Sequence, residues 1–413
     1  MPLEIAIDLV VVSRYNDPPA PDIVSKAIAA AGLGDAVWRY PSIAELATTP
    51  GRQKLGLYEA PVKDTAASAV ITVYQYEKAM TAGMDETSLA TLTRGLGPND
   101  TRTLREGRLA YSMRLTTPQP QVMPALNWAM LMLRSLIDLT EGVVVDPAAQ
   151  RCCSREQVLS FIGADPLVHV TFQSEQWASE STWLHTHGMQ KFGQPELGLV
   201  AVPISLEQEA QAFLRDVALH LINGAHLAAG SEIDLGDAGS VQAVNAPVDA
   251  EHQAPYGRFR LVDMPEPGER EGSSANRLLR RIAFADAEQR AAAGDSAGAL
   301  DTIERILAAD LDDCAALALK ARLSLADGDV NAAIDLGELM QLRVPDDYRG
   351  PYTIGIALTT LGRYREALNA LNRAIECEPE AAEVFAARST VYERLGNRQM
   401  AAEDRTHANY LKN

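Results

Sequence analysis

Cysteine is scarce in this chain, four among 413 residues. Cys152 and Cys153 are adjacent, a poor geometry for bridging each other, and Cys314 and Cys377 stand far from them. A disulfide framework is therefore disfavoured, and reduced thiols in a cytoplasmic protein are the expectation. No run approaches the roughly 20 apolar residues that cross a bilayer. The opening MPLEIAIDLVVV has no basic region or small-residue cleavage site, so it reads as a strand rather than a signal peptide. Positive charge is also in deficit: Lys and Arg number 37 against 55 Asp and Glu, a net charge of −18. Both parts of the chain share the deficit, with 17 basic against 22 acidic residues from 276 onward. An acidic surface without a basic patch repels phosphate backbones and anionic lipid heads, so neither nucleic acid nor membrane is an expected partner. Catalytic signatures are missing too. The sequence has no Gly-x-Gly-x-x-Gly, no phosphate loop and no Gly-x-Ser-x-Gly elbow. No cofactor is expected, and an enzymatic role is disfavoured.

What the sequence does contain is a period. Gly294, Gly328, Gly362 and Gly396 follow one another at intervals of 34 residues, and Ala299, Ala333, Ala367 and Ala401 lie five residues beyond them. A helix-ending glycine followed by a small residue in the next helix, repeated at that interval, predicts stacked helical hairpins. The glycine permits a left-handed turn between the two helices, and the alanine permits close helix approach.

The N-terminal part alternates strand-like and helix-like stretches. Glu4–Ser13, Ser68–Tyr76, Arg108–Thr116, Gly142–Asp146, Leu167–Phe172 and Glu196–Val202 read as strands. Pro21–Leu33, the strongly apolar Met123–Leu139 and Glu207–Ala228 read as helices. Such alternation predicts an α+β domain of two similar sheet-plus-helix halves, 1–150 and 151–263. The charged, proline-containing run at 264–275 reads as a linker, and 276–413 as four helical repeats. The polar run Glu403–His407 reads as the solvated end of the stack.

Gly355, Gly362, Tyr364, Ala367, Ala374 and Pro379 make the third unit resemble tetratricopeptide repeats closely, with Leu358 where a tyrosine is usual. The first unit departs at Ile306 and Leu311, the second at Ala321 and Met340. The resemblance implies paired antiparallel helices stacked into a superhelix whose inner face, lined by the first helix of each pair, holds a partner protein or peptide. Counted from the glycines, the inner-face positions include Arg281, Phe284, Glu288, Arg322, Arg349, Tyr352 and Ile356. Arginines beside aromatic and aliphatic residues suit a peptide with acidic and apolar side chains.

One N-terminal segment is chemically suggestive. In WLHTHGMQKFGQPEL, His185 and His187 stand two apart, so on a strand both imidazoles face one side. With Glu196, and His169 as a further ligand, they are the weak candidates for a metal site that would support hydrolysis. The stronger expectation is a structural one, a loop closing a sheet edge. This segment, with EGVVVDPAAQ at 141–150, resembles bacterial domains of unknown function over residues 1–230, which implies a shared fold and no activity. The leading expectation is a cytoplasmic interaction or scaffold protein. The alternative is a metal-dependent hydrolase with the repeats as a targeting arm.

Overall fold

The computed structural model describes residues 3–42, 51–62, 65–234, 240–245, 258–263 and 276–412. The expected linker at 264–275 lies outside them.

The first sheet is built from β1 (Glu4–Val12), β2 (Val37–Arg39), β3 (Arg52–Pro61), β4 (Ser68–Tyr76), β5 (Leu109–Pro118), β6 (Val143–Asp146) and β7 (Arg151–Cys153). Its strand order is β2-β3-β4-β5-β1-β6-β7, with every neighbour antiparallel. β1 shows why these residues form strands. Ile5, Ile7, Leu9 and Val11 alternate with more exposed residues, and all four are buried, so one face of the strand is committed to the core. Helix α1 (Pro21–Ala30) begins at a proline. The short helices α2 (Glu86–Leu92) and α3 (Pro98–Glu106) follow β4. The long helix α4 (Val122–Thr140) buries Leu126, Ala129, Met132 and Leu133 completely. With the turn before it, α4 is long and apolar enough to cross a bilayer, a length the sequence reading did not find; here it fills the core.

Hairpin β6–β7 straddles residue 150 and belongs wholly to the first sheet, pairing Val144 with Cys153. Helix α5 (Arg155–Phe161) starts at Ser154 with a reciprocal capping box to Gln157. Of the stretch Leu167–Phe172, read above as a strand, only Thr171 and Phe172 belong to one; Pro166–His169 is a 3-10 turn, because Asp165 caps the Leu167 amide and bends the chain.

The second sheet contains β8 (Thr171–Ala178), β9 (Ser181–His187), β10 (Glu196–Pro203), β11 (Glu232–Asp234), β12 (Ser240–Asn245) and β13 (Arg258–Asp263), in the order β11-β12-β13-β10-β9-β8. Only β10 and β13 pair in parallel among the described strands. Helix α6 (Glu207–Ile222) covers it. The halves share one local pattern. In each, a strand ends in proline, Pro118 or Pro203, then a single 3-10 turn leads into the long helix.

The remaining helices are α7 (Asn276–Ala292), α8 (Ser296–Ala309), α9 (Cys314–Ala326), α10 (Val330–Arg343), α11 (Arg349–Thr360), α12 (Tyr364–Cys377), α13 (Ala382–Arg394) and α14 (Arg398–Leu411). They form four antiparallel hairpins, the tetratricopeptide arrangement. The turn glycines Gly294, Gly328, Gly362 and Gly396 have φ of 82°, 85°, 74° and 81°, which only glycine adopts cheaply. After three of them the next residue caps the second helix: Asp295, Asp329 and Asn397 each accept from an amide three residues on. The four small alanines are all buried. Ile306 and Met340, the bulky departures, are buried as well. The run Glu403–His407 is not wholly solvated: Asp404 is buried, and Arg388 donates to both of its oxygens at 2.7 Å.

The repeats are not hung loosely from the α+β part. The 3-10 turn at Ile204–Leu206 packs on α8, and α6 packs on α7. Arg305 of α8 forms a salt bridge with Glu209 of α6 at 2.7 Å. One hydrophobic core runs from Ile5 through Leu279 to Met340, whereas the third and fourth repeats have a cluster of their own around Leu371 and Val384.

Candidate functional site

Two places draw together the residues marked out by the sequence. The first is a cleft of about 440 Å³ along the first helices of the hairpins, a size typical of specific binding sites. Its apolar lining comes from Phe284 on α7, Ala318 and Leu325 on α9, and Tyr352 and Ile356 on α11. Glu288, Arg322 and Arg349 also line it, so six of the seven expected groove residues meet on one surface. Arg281 is not among the lining residues. Tyr348 and Glu383 also line the cleft and were not among the expected positions; Tyr348 precedes α11, whereas Glu383 on α13 stands 34 residues after Arg349.

Apart from the buried Thr353, the polar residues that line the cleft are charged or tyrosine, and they are partnered. Arg322 Nη2 stands 3.4 Å from Glu288 Oε1, one repeat away. Arg349 Nη1 donates to Asp347 at 2.8 Å, and the Tyr348 hydroxyl donates to Glu383 at 2.6 Å. Burial, then the Glu383 hydrogen bond, pushes the Tyr348 phenol up to about 12.

The second place is the histidine segment, and here the structure gives Glu196, Thr186, Lys191 and Gln194 a mechanical task. His185 and His187 lie on β9 with ring centroids 4.7 Å apart, on one side as expected. Trp183 continues the row, 4.0 Å from His185, and Glu175 of β8 reaches to 3.5 Å from His185 Nε2. Glu196 does not complete a metal site. One of its oxygens accepts from the Thr186 hydroxyl at 2.7 Å and the other from the Gly188 amide at 2.8 Å. Thr186 in turn accepts from the Leu197 amide. Both carboxylate oxygens thus hold the turn after β9. Among the described residues, no three of His, Cys, Asp or Glu converge as a metal requires. The ligand set His185, His187, Glu196 and His169 is not assembled: His169 sits in the 166–169 turn and its carbonyl accepts from Lys191.

Lys191 is the centre of this region and was not singled out by sequence. It is 1% exposed. Its ammonium donates to Asp146 at the end of β6 and, at 3.0 Å, to the His169 carbonyl. Asp146 also accepts from the Ala149 amide. Gln194 donates to the Leu221 carbonyl at the end of α6, and Gln119 donates to the Phe192 carbonyl. The segment from His185 to Glu196 therefore ties β6, the 166–169 turn, α4's entrance and α6 together. Cys152 and Cys153 flank it on β7; burial pushes their thiols up to about 12 and about 11, so neither is a ready nucleophile.

His169 adds a pH dependence. Burial, reinforced by the Lys191 charge, holds its imidazole down to about 3. An unfolded histidine titrates near 6.5, so the folded protein's advantage is complete above that value and is lost as pH falls towards 3. Between pH 7 and pH 5 this single group is expected to remove about 2 kcal/mol of stability. Urea unfolding of the protein and of His169→Gln at both pH values checks it. The variant is expected to lose less stability on acidification by about that amount.

Residues 168–252 match a family model described as the C-terminal part of a protein of unknown function, DUF4026. The match takes in His169, the whole His185–Glu196 segment and α6, in keeping with the resemblance read from the histidine motif, over a shorter stretch. No curated protein matches. Among solved structures, the chain is similar to a thermophilic TPR protein, TTC0263 of Thermus thermophilus. The identity is 28% and the TM-score 0.30, covering 32% of this chain and 74% of that one. It is also similar to MamA (41-end) of Desulfovibrio magneticus RS-1 at 20% identity and a TM-score of 0.27, covering 32% and 75%.

Proposed function

We propose that this protein is an interaction or scaffold protein of the cytoplasm, in which the repeat cleft holds a segment of a partner protein and the α+β part meets a second partner or ligand. The observation that carries this reading is the cleft itself. Phe284, Leu325, Tyr352 and Ile356, contributed by three successive hairpins, converge on one open surface although each is only partly buried. Apolar side chains left half-exposed around a concavity are what a protein-binding surface requires. Four free cysteines support a reducing compartment.

The repeats' tight junction with α6 gives the scaffold its mechanical sense, because a partner held in the cleft keeps a fixed orientation to the α+β part. Replacing Leu325 and Ile356 together by glutamate places two charges in the apolar lining. Loss of two such contacts is expected to weaken partner capture at least tenfold, on the order of 1.4 kcal/mol or more. The check is affinity capture from native cells with wild type beside the double variant, with unchanged thermal unfolding as the control. Equal capture by both proteins would remove the cleft from the reading.

A further inference from the structure

We infer that the segment held by the cleft is basic and amphipathic rather than acidic, an inference that rests on the cleft being the binding surface. The sequence puts arginines at inner-face positions, which suggests a carboxylate-bearing ligand. The structure withdraws those arginines from service. Arg349 is held by Asp347 through both its side chain and its backbone amide, each at 2.8 Å. Arg322 faces Glu288 across one repeat at 3.4 Å. A ligand carboxylate would have to displace an acid already in place, gaining little for the exchange.

The remaining charges favour a cation. Glu288 and Glu383 are exposed, and Asp347, beside Arg349, is partly buried. Arg322 is balanced by Glu288 and Arg349 by Asp347, which leaves Glu383, hydrogen-bonded to the neutral Tyr348 hydroxyl, as the acid that tips the local balance to negative. The repeats carry more acids than bases, and the whole chain has a net charge of −18. Such a field repels an acidic segment and attracts a basic one before contact. The floor is small and apolar, with Ala315 and Ala318 between Phe284 and Tyr352. It therefore receives bulky apolar side chains, while a flanking Lys or Arg reaches Glu383.

The test uses the full chain and a random 12-residue peptide display library as probe. Enriched peptides are synthesised and their Kd measured against wild type, against Ala318→Arg, which fills the floor, and against the Arg322→Glu/Arg349→Glu pair. Ile356→Glu serves as a second blocking variant, and circular dichroism checks the fold of each. The expected peptides combine apolar residues with Lys or Arg and are poor in Asp and Glu. Their binding falls at least tenfold on Ala318→Arg and on Ile356→Glu, weakens with added salt, and is kept or tightened by the arginine reversal. Enrichment of acidic peptides whose binding is lost on arginine reversal would overturn the inference and leave the cleft as the binding surface. Peptides that fail to distinguish wild type from either blocking variant would overturn both.

Discussion

Lys191→Met is expected to destabilise the protein by about 3–5 kcal/mol, because it strands a carboxylate in the interior. Lys191 and Asp146 are both almost completely buried. The pair bridges β6 to the turn after β9, so it fastens the two halves of the α+β part to each other. In water each ion would be hydrated; inside, the lysine depends on Asp146 and holds the His169 carbonyl as well, while Asp146 has Arg151 as a more distant second cation at 3.8 Å. Burial drives the Lys191 ammonium below its ordinary range, and Asp146 opposes that shift. Removing one partner is therefore much worse than removing both. The double variant Lys191→Met/Asp146→Asn is expected to recover a large part of the loss, since the asparagine still accepts from the Ala149 amide without carrying a charge. Urea midpoints of wild type, the two single variants and the double variant give the coupling directly. A single variant costing less than about 1 kcal/mol would mean that the lysine is not locked in the interior.

Gly188→Ala is expected to cost a similar amount by a different route. Gly188 has φ of 109°, in the region that L residues avoid. A Cβ there would stand 2.6 Å from the His169 carbonyl oxygen, a backbone atom that already accepts from Lys191. Its own amide donates to Glu196, so the backbone is not free to rotate away. Backbone strain of about 1–2 kcal/mol adds to overpacking of about 1–3 kcal/mol. Gly163→Ala is the matched control. Its φ is 70° but nothing lies within 4 Å of the added Cβ, so only the backbone cost applies. Thermal melts should place Gly188→Ala well below Gly163→Ala, by roughly 2–4 °C for each kcal/mol of difference. Equal melting temperatures would show that the turn yields, and that the histidine segment is not held by the His169 carbonyl.

The two places that the sequence marked out reach opposite outcomes. The histidine segment carries the residues of a metal site, but Glu196 is occupied by Thr186 and Gly188 and braces the turn. The repeat positions, counted only from glycines, meet in a real cleft. The difference lies in what each inference depended on. Two histidines two apart fix a common face but say nothing of the third ligand, which must come from elsewhere in the fold. A 34-residue period fixes helix, turn and helix at once, and each unit can only bury its apolar face against the next.

The sequence by itself therefore determined what neighbouring residues decide. It set the alternation that makes β1 a strand and the glycines at φ near 80° that turn each hairpin. It also set the Asp295, Asp329 and Asn397 caps and the apolar length of α4. These are local in origin, because backbone propensity, capping and periodicity act within a few residues. Tertiary structure alone decided what distant residues decide. It paired Lys191 with Asp146 across 45 positions, set Arg305 against Glu209 across 96, and neutralised Arg322 with Glu288 from the preceding repeat. A charge reads as available in the sequence and becomes committed only when the fold brings its partner within reach, because Coulomb attraction depends on distance in space and not on position along the chain.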